Sequence, residues 1–222
     1  MGEEPPLEAN PDYNGKTWTQ PHRTFGNHLY LNWSNHILQF EMMRVLDLWL
    51  SKGVDGFYMK HLENLHVDEP DHIEILLAQF RLITDQHSLN GSRKMLMVSH
   101  DSMKRLQSVM DPGTFVRITK FIDVVDASLT LKSNGTDWKI GEEVAEVTEF
   151  WRQFSSVPSI VWHVGSVETM RLNNRFAKSS NLATMFLMAF LPGSFSIFYG
   201  DEIAMQDSFD YDTLEVSWVF FS

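Results

Sequence analysis

Acidic and histidine side chains are the groups in this sequence that could transfer protons, attack a substrate or bind a metal. The candidate acids are Asp55, Glu63, Asp101, Glu168, Asp201 and Glu202, and the candidate histidines are His61, His66, His100 and His163. The histidines do not follow an H-E-x-x-H or other paired helical spacing, so the sequence predicts no metal site. It also has no Gly-rich phosphate loop and no G-x-S-x-G nucleophile motif, and we predict no cofactor.

Composition indicates a single acidic globular domain. The chain has 222 residues, of which 43% are hydrophobic, enough to bury the core of one ordinary domain. Its net charge of −11 argues against a nucleic-acid partner and against direct contact with anionic lipid, since both normally need a basic face. The chain has no cysteine, which excludes a disulfide or a thiolate metal site within it.

Three N-x-S/T sequences favour an exported protein. They begin at Asn32, Asn90 and Asn134, each at a place where an oligosaccharide could project into water. Residues 1–20 contain no apolar signal-peptide core. The longest apolar stretch, residues 182–191, is too short to span a membrane. An export signal is therefore expected outside this sequence.

Helical and strand-like hydrophobic patterns alternate along the chain. Helices are predicted at about 35–53, 73–83, 103–109, 142–154 and 181–190, and strands at 54–59, 95–98, 121–125, 160–162 and 195–199. Residues 1–30 contain several turn formers and are predicted to be irregular. The alternation predicts parallel βαβ units, which fit either an open doubly wound sheet or part of an eight-fold barrel.

Two longer segments decide between these architectures by resemblance. Residues 31–57, with Leu-Asn-Trp-Ser-Asn near the start and Gly-Val-Asp-Gly-Phe at the end, resemble the entry to the fourth strand of α-amylase-type glycosidases (glycoside hydrolase family thirteen). Residues 190–203 resemble that family's eighth strand. The resemblance implies an α/β fold, a partial (β/α)8 TIM barrel covering strands four to eight. The expected division is an irregular segment 1–30, the partial barrel 31–206 and an atypical tail 207–222. Five strands would leave two exposed edges, so we expect low solubility without a partner.

The same resemblance implies a lost active site. Glycoside hydrolysis needs two carboxylates, a nucleophile or base and an acid. Tyr58 stands where the family has an arginine and Lys60 where it has the nucleophilic aspartate. His100 occupies the acid/base position and Ser166 lies nearest the third acid, so no catalytic residue is predicted. A one-residue shift of this alignment would make Asp101 the acid/base.

A resemblance to one branch of this family suggests a function. Two short segments, residues 60–65 (Lys-His-Leu-Glu-Asn-Leu) and residues 200–203 (Gly-Asp-Glu-Ile), are similar to the corresponding segments of the heavy-chain subunits of heteromeric amino-acid transporters. These subunits are catalytically inactive. This implies a non-catalytic ectodomain on the extracellular side of the plasma membrane, part of a longer single-span protein that stabilises and traffics a multi-span light chain. One alternative is an active α-glucosidase or α-amylase-family hydrolase of carbohydrate metabolism. Another is a sugar-binding remnant, in which Tyr58, Trp162 and Tyr199 would stack on sugar rings.

Overall fold

The computed structural model describes residues 19–25, 28–65, 70–88, 91–130, 133–134, 137–166, 171–175 and 178–206. The chain divides into two compact units, Met1–Val124 and Val125–Ser222. Within the described ranges, no helix is both long enough and apolar enough to cross a membrane.

The first unit alternates strands and helices after an initial hairpin. Its elements are β1 (Thr19–Phe25), β2 (His28–Leu31), α1 (His36–Ser51), β3 (Gly56–Met59), α2 (Pro70–Gln86), β4 (Met95–Ser99), α3 (His100–Val109) and α4 (Pro112–Thr119). Strands β3 and β4 are parallel, with Gly56 opposite Met95 and Met59 opposite Val98. A parallel pair joined through a helix is the βαβ unit that the sequence predicts.

The prediction that residues 1–30 are irregular is wrong for residues 19–25 and 28–30, because β1 and β2 pair antiparallel. Two residues, Gly26-Asn27, separate the strands, and such a dipeptide between extended runs is a typical hairpin signal. The proline at position 21 argued against a strand, but an isolated hairpin has edges that tolerate a missing N–H. Residues 1–18 lie outside the described ranges.

Local sequence signals fix both ends of α1. The Asn35 side chain accepts a hydrogen bond from the backbone N–H of Ile37 and caps the first turn. Gly53 follows the helix with a φ of 95°, a left-handed conformation that glycine adopts without steric cost. Gly56 then lets β3 approach β4, because a Cβ atom there would lie 2.2 Å from the carbonyl oxygen of Met95. The predicted helix and its stop are confirmed.

A buried ion-pair network lies at the start of β4. Asp123 accepts hydrogen bonds from the Arg81 guanidinium at 2.5 Å and from the backbone N–H of Leu96 at 2.9 Å. Arg93 contacts its other carboxylate oxygen at 2.7 Å. Arg81 and Asp123 are both about nine-tenths buried, so each charge depends on the other for solvation. This cluster joins α2 to the residues that precede β5.

The second unit continues the alternation. Its elements are β5 (Val124–Ser128, beginning at the last residue of the first unit), β6 (Ser133–Asn134), β7 (Asp137–Trp138), α5 (Ile140–Arg152), β8 (Ser159–His163), α6 (Leu172–Arg175), α7 (Lys178–Phe190) and β9 (Ser194–Phe195). Strand β8 lies between β5 and β9, and β9 is parallel to it. The core includes Val125, Ala127, Trp151, Trp162 and Leu172.

Two element predictions need correction. Helix α4 was not predicted, although Asp111 caps it and Pro112 begins it, which is a recognisable start signal. The predicted strand 195–199 is wrong in extent, because β9 ends at Phe195. Only one further strand-like bond follows, from Ser196 N–H to the Trp162 carbonyl, before the chain turns at Phe198.

Candidate functional site

Strand β3 delivers Tyr58 and Lys60 to the carboxyl edge of the first unit's parallel strands, the edge where barrel enzymes place their active sites. Residues two apart in an extended chain point the same way, and the Lys60 ammonium lies 5.7 Å from the centre of the Tyr58 ring. This is a cation–π contact. Tyr58 keeps 40% of its surface exposed. The nucleophile position implied by the resemblance therefore carries a cation held against an aromatic ring.

The turn after β3 brings a glutamate to α3. His61 has a φ of 53°, and the chain then forms a short 3₁₀ turn, Leu62–Leu65. Within this turn, Glu63 accepts hydrogen bonds from the Ser102 hydroxyl and from the Arg105 guanidinium, both at 2.5 Å. His61 Nδ1 lies 3.8 Å from the same carboxylate. Glu63 is thus tied to the first two turns of α3.

Protonation of Glu63 is unfavourable in this setting. Burial alone would raise its pKa, but hydrogen bonds from Ser102, from its own backbone N–H and from Arg105, together with the Arg105 charge, outweigh burial and lower the pKa. A general acid for glycoside hydrolysis requires the opposite shift, so that a proton remains available near neutral pH. Glu63 is therefore suited to hold α3 in place and unsuited to donate a proton.

The acid/base position implied by the resemblance lies at the start of α3. Ser99 caps this helix by accepting a hydrogen bond from the Ser102 N–H at 3.0 Å. His100, the first helical residue, is only 5% exposed. Asp101, the alternative acid, is exposed in the first turn of this helix.

The second unit has its own polar cluster at the end of β8. His163 Nδ1 lies 2.6 Å from the Asp126 carboxylate, and both side chains are more than four-fifths buried. A carboxylate in this position fixes the orientation of an imidazole ring. Ser166 follows three residues after β8 and is partly buried. Sequence reasoning missed Asp126, although a charged residue within the apolar run 124–127 is an available signal.

A buried arginine organises the residues after β9. Arg171 donates to the Tyr199 carbonyl at 2.5 Å, and its guanidinium lies 4.7 Å from the ring centres of both Phe198 and Tyr199. Asp201, also buried, lies 3.9 Å away. Gly165 leaves room for that carboxylate, because a Cβ atom there would lie 2.3 Å from it. Asp201 is therefore part of a framework contact, and nothing in the sequence singled out Arg171.

Other predicted residues are placed as follows. Asn32 lies just before α1, where its Oδ1 accepts a hydrogen bond from the Ser34 N–H at 3.2 Å. Asn134 is in β6. Asn90, His66 and Glu168 lie outside the described residues. Among the residues that are described, no group of three or more acidic or histidine side chains is arranged to hold a metal ion.

The chain is similar in sequence to proteins of two kinds, a transporter heavy chain and α-glucosidases. No family model matches the chain. Amino acid transporter heavy chain SLC3A1 of Homo sapiens is 26% identical over 226 residues, which cover 83% of this chain and 32% of that protein. An α-glucosidase of Culex pipiens is 26% identical over 216 residues, 80% of this chain and 35% of that protein. The chain thus spans about a third of the length of these relatives.

Solved structures agree on the fold. The α-glucosyl transfer enzyme XgtA superposes with a TM-score of 0.65 at 14% identity, covering 94% of this chain and 48% of the enzyme. An α-amylase from H. orenii superposes with a TM-score of 0.58 at 16% identity, covering 86% of this chain and 39% of the enzyme. The chain is a partial α-amylase-type barrel, related to heavy chains and α-glucosidases. The predicted fold class and family resemblance are confirmed, and the heavy-chain and glucosidase relatives are equally similar in sequence.

Proposed function

We propose that this chain is part of a non-catalytic, glycosidase-like ectodomain of an amino-acid transporter heavy chain. Its role is to stabilise a multi-span light chain and deliver it to the plasma membrane, where the ectodomain faces the outside. Similarity to the SLC3A1 heavy chain supports this assignment. An α-amylase-type fold does not require catalysis, because function depends on the residues at the strand ends.

One observation carries the proposal: the polar groups at the ends of β3 and β4 are used for structure. Lys60 lies against Tyr58, and Glu63 bridges Ser102 and Arg105 with a lowered pKa. A sugar ring that develops positive charge in the transition state would meet a lysine where glycosidases have a carboxylate. The replacement of functional residues at Tyr58, Lys60, His100 and Ser166 remains our prediction.

The light-chain assignment is tested in the protein's own cells with the full-length gene product. Affinity purification should recover a multi-span amino-acid transporter, and depletion should lower both its surface level and amino-acid uptake. Re-expression of the wild type or of Asp101→Asn should restore uptake equally, since no acid/base step is required. Unchanged uptake and transporter localisation after complete depletion would refute the proposal.

Export is tested separately through glycosylation. The hydrogen bond between Asn32 Oδ1 and the Ser34 N–H is an Asx turn, a local conformation compatible with an accessible loop before α1. We expect at least one of Asn32, Asn90 and Asn134 to carry glycan in the native protein. Enzymatic deglycosylation should then increase its mobility on a denaturing gel, and an unchanged mobility would count against an extracellular location.

The main alternative is an active α-glucosidase, which the equally similar insect α-glucosidase keeps open. Under that alternative, Asp101 is the acid/base and the purified full-length protein hydrolyses α-glucosides. We expect no turnover above background. Turnover that is abolished by Asp101→Asn would establish the alternative. Binding of a neutral glucoside without turnover, lost in Tyr58→Leu, would instead favour the sugar-binding remnant, because Tyr58 offers an exposed ring.

A further inference from the structure

One row of residues on helix α1 has apolar side chains in its middle and opposite charges at its ends. The row consists of Glu41, Val45, Leu48 and Lys52, and we call it the α1 row. Spacings of four, three and four residues keep these side chains on one side of the helix. Val45 and Leu48 are 41% and 53% exposed, and Trp49, which borders the row, is 52% exposed. The row is therefore an apolar surface that solvent reaches, with a negative charge at one end and a positive charge at the other.

Both charged ends of the row are accessible. The Glu41 side chain is 42% exposed and forms a local ion pair with Arg44 at 3.1 Å. Lys52 follows the last helical residue in a right-handed helical conformation and is exposed. Leu38, one turn before Glu41, is only 3% exposed, so the exposed part of the row begins at Glu41. The accessible row thus runs from a carboxylate to an ammonium group.

The row is complementary to itself when two copies meet in antiparallel orientation. A two-fold axis between Val45 and Leu48 places Glu41 of each copy opposite Lys52 of the other, and Val45 opposite Leu48. Each of these contacts then occurs twice. Parallel pairing would instead set Glu41 against Glu41 and Lys52 against Lys52, and like charges oppose such a contact. The charge pattern therefore selects a second copy in antiparallel orientation.

Pairing within one chain cannot replace this contact. Glu41 and Lys52 lie about 17 Å apart along α1, at roughly 1.5 Å per residue. That separation exceeds the Debye length of about 8 Å at physiological salt, so neither charge neutralises the other within the helix. The net charge of −11 opposes association of two copies in general, whereas the row itself is neutral. Two copies can thus approach through α1 without bringing like charges together there.

We propose that two copies of this chain form a dimer through their α1 rows, paired antiparallel. Two helix rows should bury less than the total of about 1,200 Å² at which stable interfaces begin, so the dimer is reversible, with a Kd of about 10 μM. The proposal is independent of the proposed transport role.

Sedimentation velocity tests the contact on the full chain of 222 residues, at physiological salt and at about 1–200 μM protein. We expect a monomer at the lowest concentration and a dimer at the highest. Leu48→Glu should raise the Kd at least about ten-fold, because it places a charge in the apolar middle of both rows. Val45→Glu should do the same and provides a second variant. The matched control is Leu82→Glu on α2, where Leu82 is 59% exposed, and it should leave the Kd within about two-fold of the wild type.

Charge exchange tests the orientation. Glu41→Lys and Lys52→Glu should each raise the Kd about five-fold or more, since each sets like charges opposite one another at two places. The double variant should recover the wild-type Kd. An equimolar mixture of the two single variants should form a mixed dimer, because each carries the charges that the other needs. Glu142→Lys is the matched control, since Glu142 pairs with Lys139 three residues away, as Glu41 does with Arg44, and it should leave the Kd unchanged.

A chain that stays monomeric at every concentration would overturn the proposal. A dimer that Leu48→Glu and Val45→Glu leave intact would also overturn it and show that the copies meet elsewhere. A mixture of Glu41→Lys and Lys52→Glu that associates no more tightly than either variant alone would refute the antiparallel pairing. Far-UV circular dichroism checks that every variant is folded. Because these readouts do not involve uptake or a light chain, they are separate from the tests of the proposed function.

Discussion

Replacing Glu63 should destabilise the protein without removing a catalytic group. Glu63→Ala leaves the hydroxyl of Ser102, a residue only 2% exposed, without its carboxylate acceptor. The loss of such a buried partner costs about 1–3 kcal/mol. The Arg105 side chain is 62% exposed, so its ion pair adds only about 0–1 kcal/mol. We expect a total loss of about 1–4 kcal/mol, the sum of these two ranges, and a smaller loss for Glu63→Gln, which keeps an acceptor oxygen.

The assay is urea denaturation at neutral pH, with Arg105→Ala as the matched control that removes only the exposed pair. Because folding lowers the pKa of Glu63, its contribution is present above the ordinary glutamate pKa of about 4.3 and is lost as the pH falls through the lower, folded-state pKa. The difference between wild type and Glu63→Gln should therefore shrink at pH 3. A difference that persists or grows at pH 3, or an Arg105→Ala loss as large as that of Glu63→Ala, would refute this reasoning.

Two further predictions concern the buried Arg81–Asp123 ion pair and the close approach of β3 to β4 at Gly56. Asp123→Ala removes the buried carboxylate partner of Arg81 and should cost about 3–5 kcal/mol of unfolding free energy. Asp85→Ala removes a half-exposed partner of the same arginine and should cost less than about 1 kcal/mol. Equal losses of unfolding free energy for the two variants in chemical denaturation would contradict the dominant role of the buried Arg81–Asp123 pair. Gly56→Ala forces a Cβ atom into the backbone of β4 and should lower the free energy of unfolding by about 3 kcal/mol or more. Its control is Gly141→Ala in α5, where the added Cβ atom meets nothing within 4 Å and should stabilise the fold by up to about 1 kcal/mol. A tolerated Gly56→Ala in thermal unfolding would show that β3 and β4 can separate.

Element types were predictable from local signals. Asn35 and Gly53 bracket α1 because capping and left-handed turns depend on residues a few positions apart. The hairpin was missed because Gly26-Asn27 was not weighed as a two-residue turn. Helix α4 was missed because the start signal of Asp111 followed by Pro112 was not considered, although proline is favoured at the first helical position.

The site was only partly predictable. Lys60 and His100 each follow shortly after a predicted strand, so the sequence was enough to place them at the carboxyl ends of β3 and β4. The bond between Glu63 and Ser102 joins residues 39 apart, and hydrophobic periodicity contains no information about such a pair. The same holds for Asp126 with His163 and for the aromatic rings around Arg171. Tertiary contacts of this kind depend on how elements pack, which one sequence does not specify.

Three of the tryptophans that the structure describes differ sharply in exposure. In the second unit, Trp151 and Trp162 are fully buried, and the Trp162 indole N–H donates to the Pro192 carbonyl at 2.8 Å. In the first unit, Trp49 is 52% exposed. Emission from the buried pair should resist acrylamide quenching until the second unit opens, whereas Trp49 is quenched from the start. Loss of this protection of Trp151 and Trp162 would therefore report local opening of the second unit.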